Sequence, residues 1–176
     1  MSPSPWNKQQ LFSSRSVEWS TPEWLFDDLD MRFAFQLDVC ASGRNAKVDM
    51  WIGEDDDALS VEWTDFMDGY LPNMAVWMNP PWGKDVGKFV RKAYEQSRKH
   101  RLVVCCLLPA STDTRWWRDW VWKAGSVQLI TGRLHFIRDD GHTGPCPKGA
   151  AIVTFYPWHN GSPSVSLVQR GGSDDS

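Results

Sequence analysis

Met78-Asn79-Pro80-Pro81-Trp82-Gly83, entered from the apolar run Ala75-Val76-Trp77, is the segment around which this chain is organised. An apolar run that stops on a polar residue, two prolines and an aromatic predicts a strand ending in a rigid turn. In open α/β sheets ligands bind at the carboxyl ends of the strands, where such a turn would lie. The prolines fix φ near −65° and remove two backbone N–H donors, so the turn presents acceptors with few donors of its own. The Asn79 side-chain oxygen and the Pro80 carbonyl could each accept one N–H from a planar base carrying an exocyclic amine. Trp82 could stack on that base. The alternative is a Pro-rich turn joining a strand to a helix, and the spacing alone does not separate the two.

The flanking sequence supplies the rest of an α/β pattern. After Gly83, apolar Val86, Phe89, Val90, Ala93 and Tyr94 recur at helical spacing to about His100. Leu102 to Leu108 is a continuous apolar run, as a strand buried on both faces requires. Ser111 or Thr112 is placed to cap a further helix carrying Trp116, Trp117, Trp120, Val121 and Ala124, stopped at Gly125. Upstream, Ser20 or Thr21 is placed to cap a helix with Pro22 in its first turn. Phe33 to Ala41 then predicts the first strand, and Lys47 to Ile52 a second short one. Val127 to Ile130, Arg133 to Ile137 and Ala150 to Tyr156 are three more strand candidates, the last two expected to form a terminal hairpin around a Gly/Pro loop. Trp63 and Phe66 are expected to pack rather than to touch a ligand.

At 176 residues the chain is expected to form one domain, residues 18–158, able to bury roughly 70% of its unfolded surface. Residues 1–17 are expected to be a flexible N-terminal arm and residues 159–176, rich in Ser, Gly and Asp, a disordered tail. No apolar run approaches membrane-spanning length and the Ser/Pro start is no signal peptide, so a cytoplasmic protein without membrane partners is expected. Cys40, Cys105, Cys106 and Cys146 lack CxxC spacing, and the four histidines pair in no ligand pattern, so no metal is expected. Cys105 and Cys106 are expected in the core. Cys146 follows Pro145, as a base-attacking cysteine of a cytosine-C5 methyltransferase would, but no other motif of that chemistry accompanies it.

The formal charge of −3 conceals a division. From Glu18 to Asp68 there are 14 acidic residues against Arg32, Arg44 and Lys47, while from Lys84 to Arg101 there are 7 basic residues against Asp85 and Glu95. An acidic half suits a cationic ligand with hydroxyl groups, and a basic helix after the turn suits phosphates. Solvated charged faces account for most of the individual charges.

Taken in order, Thr21-Pro22, Leu37-Asp38-Val39-Cys40-Ala41 with Asn45-Ala46-Lys47, Asp57-Ala58-Leu59 with Trp63, the Trp77 to Trp82 turn, Leu107-Leu108-Pro109-Ala110 with Thr112-Asp113-Thr114, Gly132-Arg133-Leu134 with Phe136, and Pro147-Lys148-Gly149 resemble the phage-type DNA N6-adenine methyltransferases of the Dam group, over residues 19 to 156. The resemblance implies a Rossmann-like α/β sheet, mostly parallel and flanked by helices, that binds S-adenosylmethionine. It implies that Trp19, Thr21 and Pro22 lie against the methionine end of that cofactor, Asp38 and Ala41 at the first-strand loop, and Asp57 by the ribose or adenosine, with Asn79 close by. Asn79, Pro80, Pro81 and Trp82 become the catalytic turn, acting on adenine N6 in duplex DNA. Lys84, Lys88, Arg115, Arg133 and Lys148 become candidate phosphate or base contacts, each also explicable as a surface charge. Two departures stand out: the first-strand loop lacks the usual second glycine, and tryptophan replaces the commoner tyrosine after the prolines. If phage-encoded, the protein would work in the cytoplasm of a bacterial host. Cytosine N4 or RNA adenine would suit the same turn, and a non-catalytic nucleic-acid-binding module is the reading from a different class.

Overall fold

A computed structural model describes residues 20–137 and 143–169. Seven strands form one sheet, in the order β2 (Trp51–Ile52), β1 (Leu37–Val39), β3 (Ala75–Met78), β4 (Val103–Pro109), β8 (Ala150–Phe155), β5 (Ser126–Ile130) and β9 (Ser164–Val168). β1, β2, β3 and β4 are mutually parallel. β8 runs antiparallel to both β4 and β5, and β9 lies parallel to β5. The chain is thus mixed α/β with a mostly parallel central sheet.

Strand alternation divides the core into two layers. Leu37, Val39, Val76, Met78, Val104, Cys106 and Leu108 face α2 (Val86–His100) and α3 (Arg115–Asp119). Ala75, Trp77, Val103, Cys105 and Leu107 face α1 (Glu23–Phe33), which contributes Leu25, Phe26 and Leu29. Both layers of β4 are buried along its whole length, as its unbroken apolar sequence predicted. Trp63 is fully buried, with its indole N–H donated to the Ala58 carbonyl and its backbone N–H to Gln96 of α2, so it does pack rather than bind.

Gly87 in α2 is demanded by this packing. A Cβ there would stand 2.7 Å from the Cβ of Trp116, close to the backbone of the next helix, where no flexible tip can swing away. Gly87→Ala gains up to about 1 kcal/mol in helix propensity. We expect overpacking of roughly 1–3 kcal/mol to outweigh that gain, so that urea unfolding shows the variant less stable than the parent.

Several local expectations are corrected. Pro22 is the N-cap of α1 rather than a first-turn residue, and no side chain caps that helix. The cap of α3 is Thr114, whose hydroxyl accepts from Trp117 N–H, in place of Ser111 or Thr112. That helix is also shorter than the aromatic spacing suggested, giving way to a 3-10 turn at Val121–Lys123. The hairpin pairs β6 (His135–Ile137) with β7 (Thr143–Pro145), a separate two-stranded unit, not with residues 150–156. Ala150–Phe155 is fully buried and belongs in the main sheet, where its apolar side chains have two faces to cover.

The disordered tail expected from residue 159 is interrupted by β9. Its Ser164-Val165-Ser166-Leu167-Val168 alternation satisfies a sheet edge, a signal hidden by the Ser and Gly around it. Residues 1–17, Trp19, part of the Gly/Pro loop and the last residues of the expected tail fall outside the described residues. No helix among the described residues is long and apolar enough to cross a membrane.

Candidate active site

Because β1 to β4 are parallel, their carboxyl ends share one edge of the sheet. The chain passes from β1 outward to β2 on one side, and from β3 to β4 on the other. The connections therefore diverge between β1 and β3, which creates the crevice where open α/β sheets bind ligands. Asp38 of β1 and Asn79, immediately after β3, stand on the two strands flanking that crevice. Both alternate onto the α1 face, since their neighbours Leu37, Val39 and Met78 point to the opposite layer.

Asn79 is half-buried, and its side-chain amide donates from Nδ2 to the Thr21 hydroxyl at 3.3 Å. Thr21 is 3% exposed, in the segment leading into α1. Pro80 is buried and Pro81 exposed. The indole N–H of half-buried Trp82 donates to the Leu107 carbonyl at 3.3 Å, and its ring meets Phe136 edge-on with centroids 5.6 Å apart. The turn is thus held from three directions: by the approach to α1, by β4, and by the hairpin strand that carries Phe136.

Asp38 is 3% exposed, and one of its oxygens accepts the Lys47 backbone N–H at 3.0 Å. Burial raises its carboxyl pKa to about 6, against the smaller opposing pull of the Lys47 N–H and charge. Lys47 itself spans from Glu23 at the start of α1, at 2.6 Å, to the face of the Phe26 ring. Beyond β1 the chain turns at Cys40, whose φ of 97° is a conformation that glycine adopts more readily. That turn lets the N–H groups of Cys40 and Ala41 both reach the Ile52 carbonyl. A residue with a side chain therefore makes the bend after β1.

Asp57 lies past the carboxyl end of β2. It is exposed, and its carboxylate accepts from Leu59 N–H and the Ser60 hydroxyl, so its nearest partners are in its own turn. Trp19 is outside the described residues, and Pro22 is buried at the α1 N-terminus.

The five basic candidates converge on the same edge for reasons of topology. Lys84 follows β3, Lys88 is in the first turn of α2, and Arg115 opens α3 after β4. Lys148 precedes β8, whose first residue pairs with the last of β4, and Arg133 follows β5, whose end is brought level by β8. All five are exposed, and Lys88 is paired with Asp85 at 2.8 Å.

The basic helix is not, as a whole, beside the turn. α2 begins at the site edge and must descend to the opposite edge to start β4, so Arg98 and Lys99 lie at its far end. There Arg98 binds the Pro157 and His159 carbonyls, and Lys99 binds Glu62 at 2.7 Å. Arg91 pairs with Glu95 within the helix. Glu62, which also engages Gln96 and His100, is held down to a pKa of about 2, chiefly by its bond from Lys99. Much of that positive charge is therefore structural.

Three of the four cysteines are buried, and desolvation raises the thiol of the fourth, half-buried Cys40, well above its ordinary value. Cys105 and Cys106 are buried in β4, where desolvation pushes Cys105 up to about 12 and Cys106 well above its ordinary value. Cys146 is buried beneath the hairpin, its backbone N–H bonded to Leu134. Among the described residues no group of His, Cys, Asp and Glu side chains could hold a metal ion.

Asp38 and Asn79 thus flank the crevice at the switch point, the place where open α/β sheets bind ligands. Residues 8–176 match the family DNA N-6-adenine-methyltransferase (Dam), and the chain belongs to it, as an adenine-specific DNA methyltransferase. It is 32% identical over 144 residues to a DNA N-6-adenine-methyltransferase of Haemophilus phage HP1 (strain HP1c1), a match covering 79% of this chain and 78% of the relative.

Proposed function

We propose that this protein transfers a methyl group from S-adenosylmethionine to the N6 amine of adenine in duplex DNA, with the base flipped into a pocket formed by Asn79, Pro80, Pro81 and Trp82. The observation that carries this reading is the Asn79 amide, fixed at the switch-point crevice by its bond to Thr21. With the NH2 end given to Thr21, the side-chain oxygen is the end that accepts from the substrate amine, beside the Pro80 carbonyl.

The residues fit the cofactor on physical grounds. Asp38 is a buried carboxylate that accepts the Lys47 backbone N–H, and the rise of its pKa on burial means that the anion is under-compensated. A ligand bringing positive charge or hydroxyl donors would relieve that cost. Thr21, Pro22 and Trp19 for the methionine end, Ala41 and Asp38 for the first-strand loop, and Asp57 for the ribose are the proposed remainder of the cofactor site, in a Rossmann-like arrangement that the switch point supports.

S-adenosylmethionine would supply an electrophilic methyl group, its sulfonium S–CH3 bond breaking with the electron pair left on sulfur as a neutral thioether. The protein's part is to make the amine a nucleophile. The N6 lone pair is delocalised into the ring, and acceptors on both N–H bonds favour its localisation as the bond to the methyl carbon forms. One N–H proton then leaves to solvent, so neither a cysteine nor a dedicated general base is required. Flipping costs a few kcal/mol, offset by stacking on Trp82 and by phosphate contacts from Lys84, Lys88, Arg115, Arg133 and Lys148. Stacking on an aromatic is worth about 1–3 kcal/mol per base. Trp82→Ala is therefore expected to raise the apparent KM for DNA by roughly 5- to 100-fold, read from initial rates at saturating cofactor.

The test of base identity is a pair of duplexes, one with adenine and one with the amine-lacking purine in its place. Label from S-adenosylmethionine is expected only in the first. Equal label in both would place the methyl elsewhere, cytosine N4 being the first alternative.

A further inference from the structure

The two edges of the main sheet are built differently. At one edge β2 is only two residues long and runs into the acidic series Glu54 to Asp57. Short strands and charge are two of the ways in which a sheet edge is kept from pairing with another chain. At the other edge β9, Ser164-Val165-Ser166-Leu167-Val168, has five residues and neither charge nor proline. Its bonds to β5 use alternate residues. Ser164 donates its N–H to the Gly125 carbonyl and the Val168 carbonyl accepts from Thr131, so by the period of two Ser166 faces β5 as well. The N–H and C=O groups of Val165 and Leu167 therefore point away from the sheet, where no described strand pairs with them. The side chains of these two residues continue the face of Val127 and Leu129, their partners in register, and are 56% and 67% exposed.

We propose that β9 is the contact of a two-fold dimer, pairing antiparallel with β9 of a second copy of this chain so that one sheet runs through both molecules. The outward groups lie symmetrically about Ser166. With the two strands antiparallel around that residue, Val165 of each copy stands opposite Leu167 of the other and the two exchange N–H···O bonds, while Ser166 meets its counterpart in a non-hydrogen-bonded pair. The same register sets Val165 against Leu167 side by side on one face, an apolar cross-strand pair, and an uncharged strand brings no like charges together. An identical strand therefore satisfies both the backbone and the side chains of this edge. The contact is isologous and closes at two copies. Five residues a side fall short of the roughly 20–30 of a stable interface, so the dimer is reversible. β8 and β5 separate β9 from β4, on the side away from the crevice between β1 and β3, so pairing leaves that crevice free.

Sedimentation velocity of the full chain over a micromolar concentration series reads the mass, which is expected to rise from that of one chain toward that of two. Leu167→Pro removes an N–H that β5 does not use, a change an edge strand tolerates. It is expected to raise the dimer dissociation constant by about tenfold or more, since the bond is lost on both sides of the axis, with the melting of dilute protein unchanged. Ser166→Cys tests the register independently. A non-hydrogen-bonded pair holds its Cα atoms about 4.5 Å apart, within disulfide reach, so mild oxidation should yield a covalent dimer. Ser164→Cys, opposed by Val168 of the second copy, should not, and the parent with its own four cysteines is the blank. A mass of one chain at every concentration would overturn the proposal and leave the edge to a different chain or to none. So would a dimer as tight in Leu167→Pro as in the parent, or cross-linking as ready through position 164 as through position 166.

Discussion

Asn79→Ala is expected to reduce the rate of methyl transfer by roughly 100- to 1,000-fold, the range seen when one preorganised hydrogen-bonding group is removed from a reacting centre. The amide supplies an acceptor that matters most as the amine lone pair localises, so its loss falls on the transfer step. Cofactor binding should largely survive, because Asp38 is untouched and α1 stays anchored by Leu25, Phe26 and Leu29 even though the bond to Thr21 is lost. Fold stability should change little, since the side chain is half-buried and β3 is anchored by Val76, Trp77 and Met78. Rapid-quench kinetics with calorimetric binding would measure both quantities. Full turnover in Asn79→Ala would remove the turn from the chemistry.

The second large effect is at Asp38 and has opposite signs for stability and for binding. Its carboxyl is raised to about 6 in the fold from an ordinary value of 3.8. Between those values the folded state holds more protons than the unfolded one, so stability falls as pH rises through about 4 to 6, and stays reduced above. The shift corresponds to a cost on the order of 3 kcal/mol at neutral pH. Asp38→Asn removes the charge and keeps an oxygen for the Lys47 N–H. The ligand-free variant is thus expected to melt higher than the parent at pH 7 to 8, with the difference fading as pH falls toward 4. Affinity for S-adenosylmethionine should drop by tenfold or more, since charge-assisted hydrogen bonds are worth about 1.5–3 kcal/mol. A parent protein more stable than the variant at pH 7 would show that Asp38 is compensated in the free protein.

The elements legible in the sequence were those whose signal is local. The Ala75 to Gly83 run, the amphipathic α2 and the apolar β4 each carry their own pattern, and together they place the turn at the carboxyl edge of a parallel sheet. Three features were not legible, each for a long-range reason. The composition of 84–101 gives a count of charges but not a direction, and α2 carries Arg98 and Lys99 away from the site because it must return to begin β4. β9 needs β5 as a partner, and its alternation is only five residues long within a polar stretch. The bond between Thr21 and Asn79 joins residues 58 apart. A resemblance over Thr21-Pro22 points to the cofactor, whereas only the folded chain brings that hydroxyl to the amide.

Methyl transfer to adenine N6 is tested most directly by following the methyl group. Labelled S-adenosylmethionine would be incubated with unmethylated duplex DNA and the protein, and the product nucleosides separated. Label is expected in N6-methyladenine alone. Label in N4-methylcytosine would contradict the assignment of the base while keeping the turn's chemistry, and DNA left without label would contradict the claim outright.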